Sequence, residues 1–418
     1  MKALKKGVGF LLVVISASHG VWAQTPDTID WKHDLDIYKT SLEQKHIDLY
    51  HTVSKDAFNS EWTDIYENLA TLDDFEIIMK LMHLTRQIHD GHTSVSLRHL
   101  DTHRFPIEIK LIEGQWRIVK TLHENKTLLA TTLESINGRP IDEVASKVSD
   151  LAQFVENEYS LTKRTGDYLP IAELLYHLKL IDAPDTATFG VRDSNNKLMD
   201  IALTAVADSI WADSNNLSKM LVTVPEIAVP KPDRPNLWFA PIANSHALYI
   251  DFKSYPTFEA MQGFGQQVVS YIQDHQIKQV IIDLRDNGGG DLYVGVVLAY
   301  ALNLADSIDW NHGVFVMTSN KTFSAATSNA ALFKQLLNAR IVGQPTGSNP
   351  NGYQDMDTFT LPSSKLVITY SKRRFRLSNQ INTALKPDIT IHPKWEDWLN
   401  GTDTVLRDLI QREGLLNN

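Results

Sequence analysis

Between residues 29 and 90 the apolar positions recur every three or four residues: Trp31, Leu35, Tyr38 and Leu42, then Phe58, Trp62, Ile65 and Leu69, then Phe75, Ile78, Met82, Thr85 and Ile88. That spacing collects apolar side chains on one face of a helix, so three amphipathic helices are predicted. Asp73 and Asp74 are suited to cap the third. Its expected stop is Gly91, in His89-Asp90-Gly91-His92-Thr93, because glycine takes the left-handed terminal conformation at little cost. Beyond it, Ser94-Val-Ser-Leu97 alternates as an edge strand does.

The period then shortens. Phe105 to Leu111, Trp116 to Val119 and Thr131 to Ile136 read as short strands, and Asn137-Gly138 is a hairpin-turn dipeptide. A helix is predicted from Ile141, just after Pro140, through Val144 and Val148. Pro225, Pro230, Pro232 and Pro235 mark a linker. From Leu237 onward, strands at 247–250, 280–284, 314–317 and 341–342 alternate with helices at 261–272, 292–302 and 324–337. Val280, Ile281 and Ile282 show no polar alternation, as in a strand covered on both faces. The alternation predicts a mostly parallel sheet with right-handed crossovers and a ligand crevice at the carboxyl ends of its strands. No internal repeat or low-complexity segment interrupts this order.

A chain of 418 residues suggests two or three units, and 43% apolar with 22% charged residues is ordinary for a globular protein. The net charge of −10 and pI near 5.8 disfavour nucleic acid and anionic membrane surfaces as partners. Residues 1–23 read as a cleavable secretory signal: Lys2, Lys5 and Lys6 precede an apolar run from Gly7 to Ala17, and Val21-Trp-Ala23 ends it with small residues. The run is too short to cross a bilayer, and no later stretch approaches the roughly 20 apolar residues required. Removing its three lysines takes the charge from −10 to −13. With no cysteine, a cysteine-linked lipid anchor is excluded and an oxidising compartment is tolerated. The expectation is a periplasmic or secreted protein with a helical domain at 24–100, a β-rich module at 101–230 and an α/β domain at 235–418.

Two strand-to-helix turns carry the candidate chemistry. In the first, Asp283, Arg285 and Asp286 are followed by Gly288, Gly289 and Gly290 and then a helix, an arrangement that points backbone N–H groups and a helix dipole at an anion. In the second, Ser324 lies in Lys321-Thr-Phe-Ser-Ala-Ala326. A serine there is either a helix cap or a nucleophile. As a nucleophile it would find the Ala325 N–H and an N–H of Gly289 or Gly290 converging on the oxyanion of a tetrahedral intermediate. His92, between a helix and a strand, is either a surface histidine or a group presented to a cleft. A His89/His92 metal site is not expected, for there is no His-Glu-x-x-His and no further ligand cluster.

Asp283-Leu-Arg-Asp-Asn-Gly-Gly-Gly290 resembles the Asp-Leu-Arg-x-Asn-x-Gly-Gly signature of the S41 serine peptidases, the carboxyl-terminal processing (tail-specific) and tricorn-type enzymes. Thr322-Phe-Ser-Ala-Ala326 is similar to that family's nucleophile segment, Gly343-Gln-Pro-Thr-Gly347 to its next turn and Pro387-Asp-Ile389 to its tail, in order across 235–410. The resemblance implies an α/β fold with a crotonase-like (ClpP-like) core, an N-terminal helical domain, a peptide or protein substrate, and hydrolysis without a cofactor. Ile136-Asn-Gly-Arg-Pro-Ile141 resembles a piece of a PDZ domain. In the processing branch the base is a lysine in the stretch matching Thr346 to Gly352, where this chain has Asn349. In the tricorn-like branch it is a histidine in a segment like His89 to Thr93, which implies His92. That branch also carries a glutamate before the Pro-Asp pair; Ile381 and Asn382 stand there, which makes Asn382 the candidate orienting residue. The alternatives are a non-catalytic peptide-binding protein that keeps the fold and, since Gly-x-Ser-x-Gly is absent, less readily an esterase.

Overall fold

The computed structural model describes residues 28–98, 100–230, 236–379 and 383–416. The predicted signal at 1–23, Pro232 and Pro235 of the linker, and Asn382 lie outside the described residues. Helices run over Trp31–Lys45, Lys55–Glu67 and Asp74–Arg86, with Asp30, Ser54 and Asp73 accepting from the first-turn N–H groups. Asp73 and Glu76 form a reciprocal capping box. The third helix ends at Arg86 rather than at Gly91. The residue in the left-handed region is His89, with φ 55°. Gly91 answers a different need, since a Cβ there would lie 2.7 Å from the Cβ of Glu156.

The β-rich region is a seven-stranded antiparallel sheet. Asn137 and Gly138, at φ 46° and 73°, make the expected two-residue turn between Thr132–Ile136 and Arg139–Pro140. Helices Ile141–Ser149 and Glu158–Tyr168 follow, the second opened by a capping box between Asn157 and Ser160.

A six-stranded sheet organises the carboxyl-terminal half. Its order is Leu237–Pro241, Ala247–Phe252, Gln279–Asp283, Val314–Thr318, Arg340–Gly343 and Ile389–Thr390, antiparallel at the first pair and parallel thereafter. Both faces are covered, as the apolar runs require. Leu248, Ile250, Val280, Ile282 and Val316 pack with Met261, Val268, Leu298 and Phe333 of the helices Phe258–Asp274, Leu292–Leu302 and Ala325–Leu336. The intervening Tyr249, Ile281, Phe315 and Met317 pack with Val405, Leu409 and Ile410 of Thr404–Arg412.

A third, three-stranded sheet brings the distant turn around His92 to this half. Ser94–Ser96 pairs antiparallel with the hairpin strand Val367–Arg376, Ser94 opposite Thr369, and that strand pairs in turn with Asn351–Thr360. The N-terminal helices, the β-rich region and Leu366, Ile368 and Tyr370 of the hairpin share one core.

Candidate active site

The glycine turn is held by its own polar residues. Arg285 binds Asp283 through Nε at 3.0 Å and Nη2 at 2.6 Å, and reaches Asp403 at 2.8 and 2.7 Å. Burial pushes the Arg285 pKa down, but the two carboxylates outweigh it and hold the guanidinium charged. The conspicuous charges of this motif therefore tie the strand end to the amino terminus of Thr404–Arg412. Buried Asn287 donates to the Phe252 carbonyl at 2.9 Å and accepts from the Gly289 N–H at 2.9 Å, while its own carbonyl accepts from Phe323 at 3.2 Å. Gly289, at φ 107°, packs so closely on the serine turn that a Cβ would lie 2.7 Å from the Cβ of Ser324.

Ser324 has φ 53° and ψ −127° and makes no side-chain cap bond to the helix it precedes. A non-glycine residue there is strained by about 1–3 kcal/mol. The strain is maintained by surrounding bonds: the Ser324 N–H donates to Ser348 Oγ at 2.7 Å, the Ser324 carbonyl accepts from Ser328, and Ser348 Oγ donates onward to Thr327 at 2.9 Å. With the Gly289 N–H engaged, the N–H groups of Gly290 and Ala325 have no partner among the described residues. Those two are the donors free to meet an oxyanion.

His92 arrives from the first hundred residues. Asp90 builds its turn, accepting from the His92 N–H at 3.0 Å, from Thr93 Oγ1 at 2.6 Å and from His46 Nε2 at 2.9 Å. The tautomer of His46 follows from the Asp48 N–H, which donates to its Nδ1 at 2.9 Å and leaves Nε2 to carry the hydrogen. Thr369 Oγ1 donates to the His92 carbonyl at 2.7 Å, fixing the turn to the hairpin. His92 is 2% exposed, and its ring lies 5.1 Å, centroid to centroid, from that of Phe323, the residue that precedes Ser324. Neither ring nitrogen has a hydrogen-bond partner among the described residues.

Two carboxylates face the Nδ1 edge of that ring, Asp90 Oδ1 at 4.0 Å and Glu156 Oε2 at 3.9 Å. Burial pushes the His92 pKa down, opposed in part by the Asp90 charge. Burial also works to raise Asp90, but bonds from His46 and its neighbours outweigh it and keep that group below the usual carboxylate range. Glu156 has only the Asn349 backbone to oppose it, and burial together with the Asp90 charge holds it well above that range. Glu156 has no motif around it and is not legible in the local sequence pattern.

The buried Asn349 makes no hydrogen bond to Ser324; its Oδ1 accepts from Asn157 at 3.0 Å. A cavity of about 550 Å³ opens at the carboxyl ends of the sheet strands, lined by Tyr249, Asp283, Arg285, Ser319 and Lys321 but not by Ser324 or His92. No cluster of three metal-ligating side chains occurs among the described residues, and no described helix is long and apolar enough to cross a membrane.

Among solved structures the chain is similar to mature CPAF complexed with lactacystin, at 11% identity and a TM-score of 0.66 over 92% of this chain and 97% of that one. It is similar also to an alanine mutant of CPAF, at 12% identity and a TM-score of 0.65 over 93% and 98%. The photosystem II D1 C-terminal processing protease matches at 13% identity over 88% and 94%, but its TM-score of 0.43 is too low to carry an argument. The likeness is one of fold, and it agrees with the α/β class expected from the motifs. No family model and no curated protein matches the chain.

Proposed function

We propose that this chain is an exported serine-type peptidase of the carboxyl-terminal processing and tricorn kind, with Ser324 as nucleophile and His92 as general base. The observation that carries the reading is the backbone of Ser324. A serine held at φ 53° and ψ −127° without a cap bond is not serving the helix, and strain of this kind persists where a side chain must be presented. The fold shared with CPAF supports the reading without assigning the chemistry.

In this mechanism the Ser324 hydroxyl attacks the carbonyl carbon of a peptide bond and passes its proton to His92. The carbonyl oxygen becomes an oxyanion received by the N–H groups of Ala325 and Gly290. His92 then gives the proton to the leaving amine, and water releases the acyl group by the reverse sequence. Because neither nitrogen of His92 is bonded in the resting structure, the ring must close on Ser324 when substrate arrives. Export follows from the signal-like residues 1–23.

A fluorophosphonate tests the reading directly. The wild-type protein should be labelled once, on Ser324, and Ser324→Ala should not be labelled. Lactacystin, with which CPAF has been solved in complex, is a second probe of the same cleft. Peptide binding with no labelling by the fluorophosphonate would instead identify a non-catalytic protein that keeps the cleft.

A further inference from the structure

Glu156 is a carboxylate buried beside the His92 ring. Its Oε2 is buried and has no hydrogen-bond partner among the described residues. It faces Nδ1 of His92 at 3.9 Å, and that nitrogen is also unpartnered. The backbone has made room for it on two sides: a Cβ on Gly91 would lie 3.1 Å from Oε2, and a Cβ on Gly352 would lie 2.9 Å from Oε1. Its main chain is fixed by the capping box of the next helix, where the Glu156 N–H donates to Ser160 Oγ at 3.0 Å. Asn157 beside it donates to the Thr346 carbonyl at 3.2 Å and so joins this corner to the segment that also holds Ser348. Asp90, the other carboxylate near the ring, already accepts three hydrogen bonds.

We propose that Glu156 positions His92, its Oε2 accepting the Nδ1–H of the ring while Nε2 takes the proton of Ser324. The inference rests on the reading of Ser324 and His92 as nucleophile and base. It puts the orienting role on the residue before the Asn157 cap, in a different part of the chain from Asn382. No proton passes to Glu156: the one lost by Ser324 Oγ stays on Nε2 until the leaving amine takes it. Closing 3.9 Å to a hydrogen bond needs a movement of about 1 Å, within reach of a side-chain adjustment. An unpaired buried polar pair is costly at rest, and the cost is relieved when the ring turns and the bond forms.

The proposal gives the site a particular response to pH. Around the ring stand Asp90 on its own turn, Arg164 on Glu158–Tyr168 and Asp355 on the hairpin, with His46 behind Asp90. Glu156 holds its proton above the pH at which an ordinary glutamate ionises. Once it ionises, its charge favours the imidazolium that forms on attack and strengthens the base. Activity should therefore keep rising beyond the pH at which His92 has become neutral.

The test is the rate of fluorophosphonate labelling from pH 5 to pH 9 in the full-length protein, for wild type, Glu156→Gln and His92→Ala. Glutamine matches the protonated acid in shape and charge. The expected result is a Glu156→Gln rate within about threefold of wild type at pH 6 and about tenfold or more below it at pH 9, in keeping with the range of general-base contributions. Superimposable profiles for wild type and Glu156→Gln, with His92→Ala inert, would overturn the role of Glu156 alone. A His92→Ala protein that labels at the wild-type rate would overturn the base assignment beneath it. If glutamine disturbs folding, Glu156→Asp supplies the second measurement: rescue of the alkaline rise supports positioning, and a flat profile in that folded variant counts against it.

Discussion

The two halves of the candidate site are built on opposite terms. Around Ser324 the framework is bonded: Asn287 bridges three segments, Ser348 holds the Ser324 N–H, and the Gly290 and Ala325 N–H groups are left open toward the turn. Around His92 the turn itself is bonded through Asp90, yet the ring nitrogens and Glu156 Oε2 are buried without partners. The first half stores its cost as backbone strain at one residue, and the second stores it as unmet hydrogen bonds. Strain at Ser324 fixes a geometry, whereas unmet bonds at His92 favour whichever arrangement satisfies them. Rearrangement on substrate binding should therefore be confined to the His92 half.

The largest effect that could break this contrast is loss of the nucleophile. Ser324→Ala should reduce hydrolysis by several orders of magnitude, as removal of a triad nucleophile does. Its melting temperature should barely move, because the side chain makes no cap bond. A true cap would cost about 0.5–2 kcal/mol on the same substitution. Calorimetry alongside a peptide assay reads both outcomes, and near-normal turnover would end the mechanism.

The Ser324 half was much easier to find in the sequence than the His92 half, for a physical reason. Gln279–Asp283 and Val314–Thr318 are adjacent parallel strands, so the turns that leave them must open at the same sheet edge, and Gly289 does meet Ser324 there. Uniformly apolar runs announce such strands. In the hairpin Asn351–Thr360 and Val367–Arg376 the apolar run Leu366 to Ile368 is short, and the outer part carries Asp355, Asp357, Lys372 and Arg373 in ion pairs, so the pattern predicts no strand there. That hairpin is what ties the His92 turn to the carboxyl-terminal half, where its ring meets Phe323, so the placement is anticipated only through the motif resemblance. Asp283 and Arg285 mislead in the other direction. Their charge looks like ligand chemistry, but Arg285 closes on Asp403, 118 residues away, a partner no local pattern reveals.

That ion lattice supplies the next prediction. Arg285→Met should destabilise the fold by about 3–5 kcal/mol, because it leaves Asp283 and Asp403 buried and unpaired. Denaturant titration checks it. A loss under 1 kcal/mol would mean that the Ser324 half does not depend on this network. Gly289→Ala should cost less, upwards of about 1 kcal/mol, since alanine is strained at φ 107°. Its added Cβ would also press on Ser324 and the Phe323 carbonyl, so activity should fall further than stability.

The smallest expected effect concerns acid pH and sharpens the contrast most finely. Burial depresses His92, so its folded pKa lies below the ordinary value of about 6.5. Below that ordinary value the unfolded chain binds a proton that the folded chain still refuses, so stability contributed by the neutral ring is lost as pH falls from 6.5 through the depressed pKa. The same titration removes the base. The loss of labelling due to His92 itself, read in Glu156→Gln where the alkaline rise is absent, should therefore begin only below pH 6.5, with His92→Gln abolishing labelling and flattening this part of the stability profile. Ser324→Ala should leave the stability profile unchanged, since the ring makes no hydrogen bond to Ser324 at rest. If Ser324→Ala instead shifted the acid limb of stability as strongly as His92→Gln, the two halves would already be coupled in the resting protein, and the division between a fixed nucleophile and a movable base would fail.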